Sequence, residues 1–341
     1  MSKDYNYGIG ILRMIMCFMV ILNHFMNIPD GAGNVSFLLF LRGYAVPVFM
    51  LLSFVLVQND LLIHSKQIML KRFERLAIPQ IGWSLIYFFS FLLVIRLFSV
   101  DWSLKPVDLL FQLFTGHSLH LNTAMWFQVV MILMTLLFLL VILVFKKHHD
   151  KVLILLCIIS LWLEYSGRIM FFDRFRFELR YPLGRFVEMI PLAVAGYFIG
   201  SRNLLERLKK YSLAVVLASC CIVCFIYKYS VFKGIKGYNY SGIDKIVVSF
   251  ALVSMFYVIP FNKLSKKCTD IIRFLTSYTL GIYCMHILVG KICDLIISRY
   301  EIMILKESVL LEGIIIYIVS FAISFLGSLL LKKTKLRFLF N

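Results

Sequence analysis

Residues 10–27 read GILRMIMCFMVILNHFMN. The run is almost unbroken in apolar side chains, yet it carries a cation at Arg13 and an imidazole at His24. A stretch this apolar crosses a hydrocarbon core as an α-helix, for which about 20 residues at roughly 1.5 Å each suffice. A charged arginine at that depth costs on the order of 2.5–3.5 kcal/mol, so it faces a bundle interior or a wet cavity rather than lipid. Arg13 and His24 are eleven residues apart, and eleven steps of about 100° make three turns plus about 20°. Both side chains therefore share one helix face, roughly 16 Å apart along the axis. A cation low and a histidine high on one stripe suit a substrate that approaches from the Arg13 end and reacts near His24. A histidine so placed serves as a base near neutral pH. Either residue alone reads better as a side chain at the interface; the shared face brings the site reading level with that one.

The rest of the chain demands the same solvent. Of 341 residues, 61% are hydrophobic and only 16% charged, with a mean hydropathy of +0.88; a soluble chain has about a quarter charged. Apolar runs at about 8–27, 35–58, 76–98, 124–145, 152–165, 184–200, 211–227, 241–259, 271–296 and 308–331 predict ten transmembrane helices. The fold class is an all-α polytopic membrane protein, with one domain over 1–341. The stretch 104–120 reads as a surface helix. The first run has no small-x-small cleavage site and is read as a retained span. Cys220, Cys221 and Cys224 sit mid-run without a nearby histidine, so no metal is expected. The net charge of +18 does not indicate nucleic acid, because the basic residues lie in short loops between spans and meet membrane lipid there.

Those loops also set the orientation. With the N-terminus in the cytoplasm, ten spans place twenty Lys and Arg in inside segments and thirteen in outside ones. Both termini are then cytoplasmic by the positive-inside bias. Arg13, Arg42 and Lys291 remain within spans, and the outer segment GRIMFFDRFRFELRYPLGR (167–185) is unusually basic and aromatic.

After the second run comes KQIMLKRFERLAIPQIGW (66–83), with Arg72 and Arg75 three residues apart. On a helix they share a face, and two guanidinium groups so placed suit phosphate. A basic topology determinant has the same appearance.

Arg13, ten intervening residues, His24, then RFER ending at Arg75 and a proline at 79 together resemble the membrane-bound acyltransferase family 3. AVPVFMLLSFVLV (45–57), AMWFQVVMILM (124–134), RFVEMIPLAVAGYFIG (185–200) and SYTLGIYCMHILV (277–289) are similar to further spans of that family. Where the family often has Ser-Gly, this chain has Ser53-Phe54, so no close helix approach is expected from residue 54.

The resemblance implies a short bacterial O-acyltransferase of the cytoplasmic membrane without a fused esterase-like domain. It moves an acyl group, most often acetyl, from acetyl-CoA or another acyl-CoA to a hydroxyl of an envelope glycan, surface polysaccharide or lipid-linked sugar. His24 is then base or acyl carrier, and Arg13 guides the donor arm or stabilises the oxyanion. Arg72 and Arg75 bind the acyl-CoA phosphates. On the acceptor side stand Trp126, Arg180, Tyr181, Arg185 and His286, of which Trp126 and His286 are named through the resemblance. The other reading is a non-catalytic exporter of a glycan or lipid-linked sugar, against which the lack of internal repeats counts.

Overall fold

The computed structural model describes residues 5–25, 37–98, 104–118, 121–166, 177–233, 242–300 and 309–340. Every regular element among them is helical: α1 (Tyr7–Phe25), α2 (Phe37–Arg42), α3 (Ala45–Phe98), α4 (Pro106–Thr115), α5 (Trp126–Phe145), α6 (His149–Tyr165) and α7 (Phe177–Ser201) form the first part. Then follow α8 (Leu204–Leu208), α9 (Ser212–Phe232), α10 (Ile243–Val258), α11 (Lys266–Thr276), α12 (Thr279–Arg299), α13 (Val309–Lys332) and a 3-10 segment, Lys335–Phe340. Where water is absent a helix is the only open-ended way to satisfy each backbone N–H and C=O.

Seven helical stretches among the described residues are long and apolar enough to cross a membrane. The chain is a multi-pass membrane protein. Three of the ten expected runs do not stand as separate long helices. The run 35–58 contributes the short apolar helix Ala45–Val57, 152–165 merges with its predecessor in Trp126–Tyr165, and 241–259 forms the 16-residue α10. The merged pair turns at Lys146, a non-glycine residue with φ of 38°.

Two helices are inside-out relative to those of a soluble protein. On α13, Ser320, Ser324 and Ser328 are fully buried while Ile318, Ile323, Leu326 and Leu330 are exposed. On α4, Gln112 is fully buried and Phe114 is 75% exposed. On these two helices apolar side chains meet the surroundings and polar ones turn inward, as lipid permits. The stretch 104–120, read as a surface helix, contains α4, on which Val107, Leu110 and Phe114 are exposed. Asp108, Gln112 and Thr115 of α4 point inward, and the described part of the non-helical stretch that follows, 116–125, is also largely buried.

α3 is helical over its 54 residues, yet it is not straight, since the Arg72 guanidinium bonds to Ser53. Nineteen residues along a straight helix span about 28 Å. The chain therefore reverses between Ser53 and Arg72, and α3 is a helical hairpin carrying the second and third expected spans. Close approach to its first arm comes from a partner helix. A Cβ on Gly196 of α7 would lie 2.4 Å from the Leu51 carbonyl oxygen and 3.1 Å from Cβ of Phe54.

α1 lies at the centre, touching α2, α3, α10, α11, α12 and α13. It runs parallel to α12: Cys17 pairs with the Thr279 carbonyl, and seven residues later His24 meets His286.

Candidate active site

Local geometry at the far end of α1 comes first. His24 opens onto a cavity of about 250 Å³ shared with Val20 and Asn23 of α1, Arg42, and Ala45 and Val46 of α3. The described part of the stretch 116–125 contributes His117, Thr123 and Ala124, and Trp126, Phe127, Tyr181 and Tyr283 complete the wall. No carboxylate lines it among the described residues. The aromatic groups are ordered against each other. Tyr181 lies 4.6 Å from the His117 ring at a 32° tilt and stands edge-on to Trp126 at 5.7 Å. The Arg185 guanidinium sits 4.9 Å over the Tyr181 ring and pairs with Glu188.

The non-helical wall is held by polar bonds. Gln80 Nε2 donates to the Gln112 carbonyl at 2.7 Å, and the Asn122 N–H donates to Gln112 Oε1 at 3.1 Å. The Ala124 N–H donates to Asn122 Oδ1 at 2.7 Å, and Lys291 Nζ donates to the Leu121 carbonyl at 2.9 Å. Tyr283 OH donates to the Ala124 carbonyl. Gly116 makes the turn possible: its φ is 66°, and a Cβ there would lie 2.4 Å from the Met125 carbonyl oxygen. Irregular backbone buried in a membrane protein is tolerated where it lines a cavity, which is its position here.

Behind His24 lies His286, fully buried, with ring centroids 5.3 Å apart. Its Nδ1 is 2.6 Å from the Tyr283 carbonyl oxygen.

At the other end of α1 the basic residues converge. Arg75 is close enough to both Arg13 and Arg72 for their charges to interact, and Arg13 also lies near Tyr5. Arg72 and Arg75 do not present one common free face, which corrects the expectation of a paired phosphate grip. Arg72 is 9% exposed. Its Nε donates to Thr135 Oγ1 at 2.9 Å, Nη1 to the Ser53 carbonyl at 3.0 Å and Nη2 to Ser53 Oγ at 2.6 Å. The same guanidinium lies 4.7 Å over the Phe54 ring. Arg75 is exposed. Between the two ends the α1 face is sealed by Cys17, Ile21 and Ile282, each at most 4% exposed.

A family model described as an acyltransferase domain matches residues 6–333. The chain belongs to acyltransferase family 3. It is a membrane acyltransferase. No curated protein and no solved structure matches it.

Within this acyltransferase the structure gathers His24, Trp126, Tyr181 and His286 around or against one cavity, with Arg185 beside Tyr181. Arg13, Arg72 and Arg75 stand at the opposite end. Arg180 precedes Tyr181 on α7, while Arg168, Arg174 and Arg176 lie outside the described residues. Sequence reasoning missed His117 and Arg42 as cavity residues. Arg42 carried a signal, since it was one of three basic residues left within spans, and such a residue is a site candidate by default. Lys291, another of the three, fastens the cavity wall. His117 carried none, because GHSLHLN reads as an ordinary polar connection.

Proposed function

We propose that this acyltransferase takes an acyl group from cytoplasmic acyl-CoA at the Arg13–Arg75 end. It delivers the group at the His24 end to a hydroxyl of an envelope or surface polysaccharide, or of its lipid-linked precursor. The observation that carries this reading is the separation on one central helix of a convergent cationic corner from a histidine in an aromatic cavity. A cavity of about 250 Å³ lies just below the usual range for whole small-molecule ligands. It suits a short acyl group, of which acetyl is the smallest common one, together with one hydroxyl-bearing carbon.

Arg75 and Arg13 supply charge for the donor phosphates, and Arg72 holds the hairpin that positions Arg75. His24 removes the proton of the attacking hydroxyl, the new C–O bond forms as the thioester C–S bond breaks, and the proton ends on the departing thiolate. Tyr181 and Trp126 offer ring faces and edges to a sugar. The donor arm reaches His24 when the seam at Cys17, Ile21 and Ile282 parts. The basic bias of the loops supports a cytoplasmic Arg13 end and cytoplasmic termini, and the family resemblance supports a bacterial cytoplasmic membrane as its location.

The test is thioester consumption. Purified protein incubated with acetyl-CoA should release free CoA slowly, and His24→Ala should release none above buffer while keeping its expression and insertion. Release by His24→Ala at the wild-type rate would overturn the reading. No release by wild type, together with movement of a lipid-linked sugar across vesicles, would establish the exporter instead.

A further inference from the structure

We propose that His286 is the positioning residue of His24, a neutral imidazole whose Nε2 lone pair receives the His24 N–H so that the other His24 nitrogen faces the cavity bare. The inference rests on the acyl-transfer reading above and assigns His286 a place behind the reacting group rather than on the acceptor side.

The tautomer of His286 follows from its partner. A carbonyl oxygen only accepts, so the 2.6 Å contact with the Tyr283 carbonyl requires the hydrogen on Nδ1. In the neutral ring Nε2 is then an acceptor. That atom is buried and has no hydrogen-bond partner among the described residues. A buried acceptor left bare costs about 1–3 kcal/mol, and the neighbouring ring with a donor to offer is His24, 5.3 Å away between centroids and tilted by 53°.

The packing brings the two rings side by side. Cys17 on the Thr279 carbonyl fixes the register of α1 on α12 one step below. Above it, Gly290 admits the Phe25 ring, which would lie 2.0 Å from a Cβ at that position, and Phe25 meets His286 edge-on at 6.1 Å. A catalytic histidine needs a third group to set which nitrogen is protonated. No carboxylate lines this cavity among the described residues, and His286 fills that role. Tyr283 links the device to the wall, its carbonyl fixing His286 while its hydroxyl holds Ala124. Through the reaction the hydroxyl proton passes to the bare His24 nitrogen and on to the thiolate. The His24 N–H on His286 stays in place, and His286 neither gains nor loses a proton.

Three variants separate positioning from simple packing. His286→Gln places an amide oxygen near the Nε2 position. His286→Asn reaches only the Tyr283 carbonyl, and His286→Phe fills the volume with no acceptor. In CoA release from acetyl-CoA, the Asn and Phe variants should lose about 10–100-fold in kcat, the range for a lost orienting partner. Their KM for acetyl-CoA should stay within about twofold, since uniform binding is untouched. The Gln variant should recover most of the loss. Wild-type kcat in His286→Phe would overturn the proposal, as would equal losses in all three variants or a loss carried by KM. An active His24→Ala would instead sink the acyl-transfer reading itself. An inactive His24→Ala beside a fully active His286→Phe would sink only this inference.

Discussion

Arg72 and Arg75 show how far one motif can divide its labour. Both arise from RFER, three residues apart, yet one is buried in four contacts and the other is exposed. Arg72→Ala removes three hydrogen bonds from a charged donor, each contributing about 1.5–3 kcal/mol at best, and leaves Ser53 and Thr135 to re-pair. We expect a loss of about 2–4 kcal/mol, read as a lower unfolding temperature in detergent with activity falling alongside it. Arg75→Ala should leave that temperature within about 1 °C, because exposed substitutions cost little. It should weaken acetyl-CoA binding and flatten the salt dependence of that binding. Equal effects of the two substitutions on stability would contradict the division. The sequence displayed the pair but not the division, since an i, i+3 spacing is the same whether one member docks or not.

At the scale of elements, the hairpin of α3 and its seat on α7 depend on backbone proximity. Gly196→Ala forces a Cβ to 2.4 Å from the Leu51 carbonyl oxygen, a clash with backbone that no rotamer relieves. The expected cost is about 1–3 kcal/mol, the range for overpacking, and a variant as stable as wild type would show that α3 and α7 are not in such contact. The seam on α1 gives a second prediction. Cys17→Phe places a ring between Arg13 and His24 where Cys17 is 4% exposed. It should keep acetyl-CoA binding but cut CoA release at least about tenfold, within the effect of misplacing a reacting group; unchanged release would route the donor arm elsewhere. Much of this scale was legible in the sequence. α1 occupies the expected run, and the 3.6-residue period alone put Arg13 and His24 on one face. The contact of His24 with His286 was not legible, because 262 residues separate them and only the parallel packing of α1 and α12 brings them together. For α4 the helix was legible, but not that Asp108, Gln112 and Thr115 turn inward while Val107, Leu110 and Phe114 are exposed.

For the whole molecule, the account stands on two chemically different ends of one bundle. Ser53, Thr135, Arg72, Arg75 and Arg13 cluster at one end, while Ala45, Trp126, Tyr181 and His24 meet at the other. Each helix with residues in both groups runs in the sense that the alternating topology requires: α1 from Arg13 to His24, the first arm of α3 from Ala45 to Ser53, α5 from Trp126 to Thr135. Transfer across the membrane needs those ends on opposite faces. The most direct measurement is labelling by an impermeant thiol reagent of single cysteines at Lys71, beside the donor corner, and at Lys105, before α4. Both positions are exposed, and the exposed native cysteines Cys220, Cys221, Cys224 and Cys268 are replaced by serine to lower background. The account predicts that Lys105→Cys labels on intact cells and that Lys71→Cys labels only after the cells are opened. Labelling of both sites in intact cells, or of both only in opened ones, would put the two ends on one side and contradict transfer across the membrane.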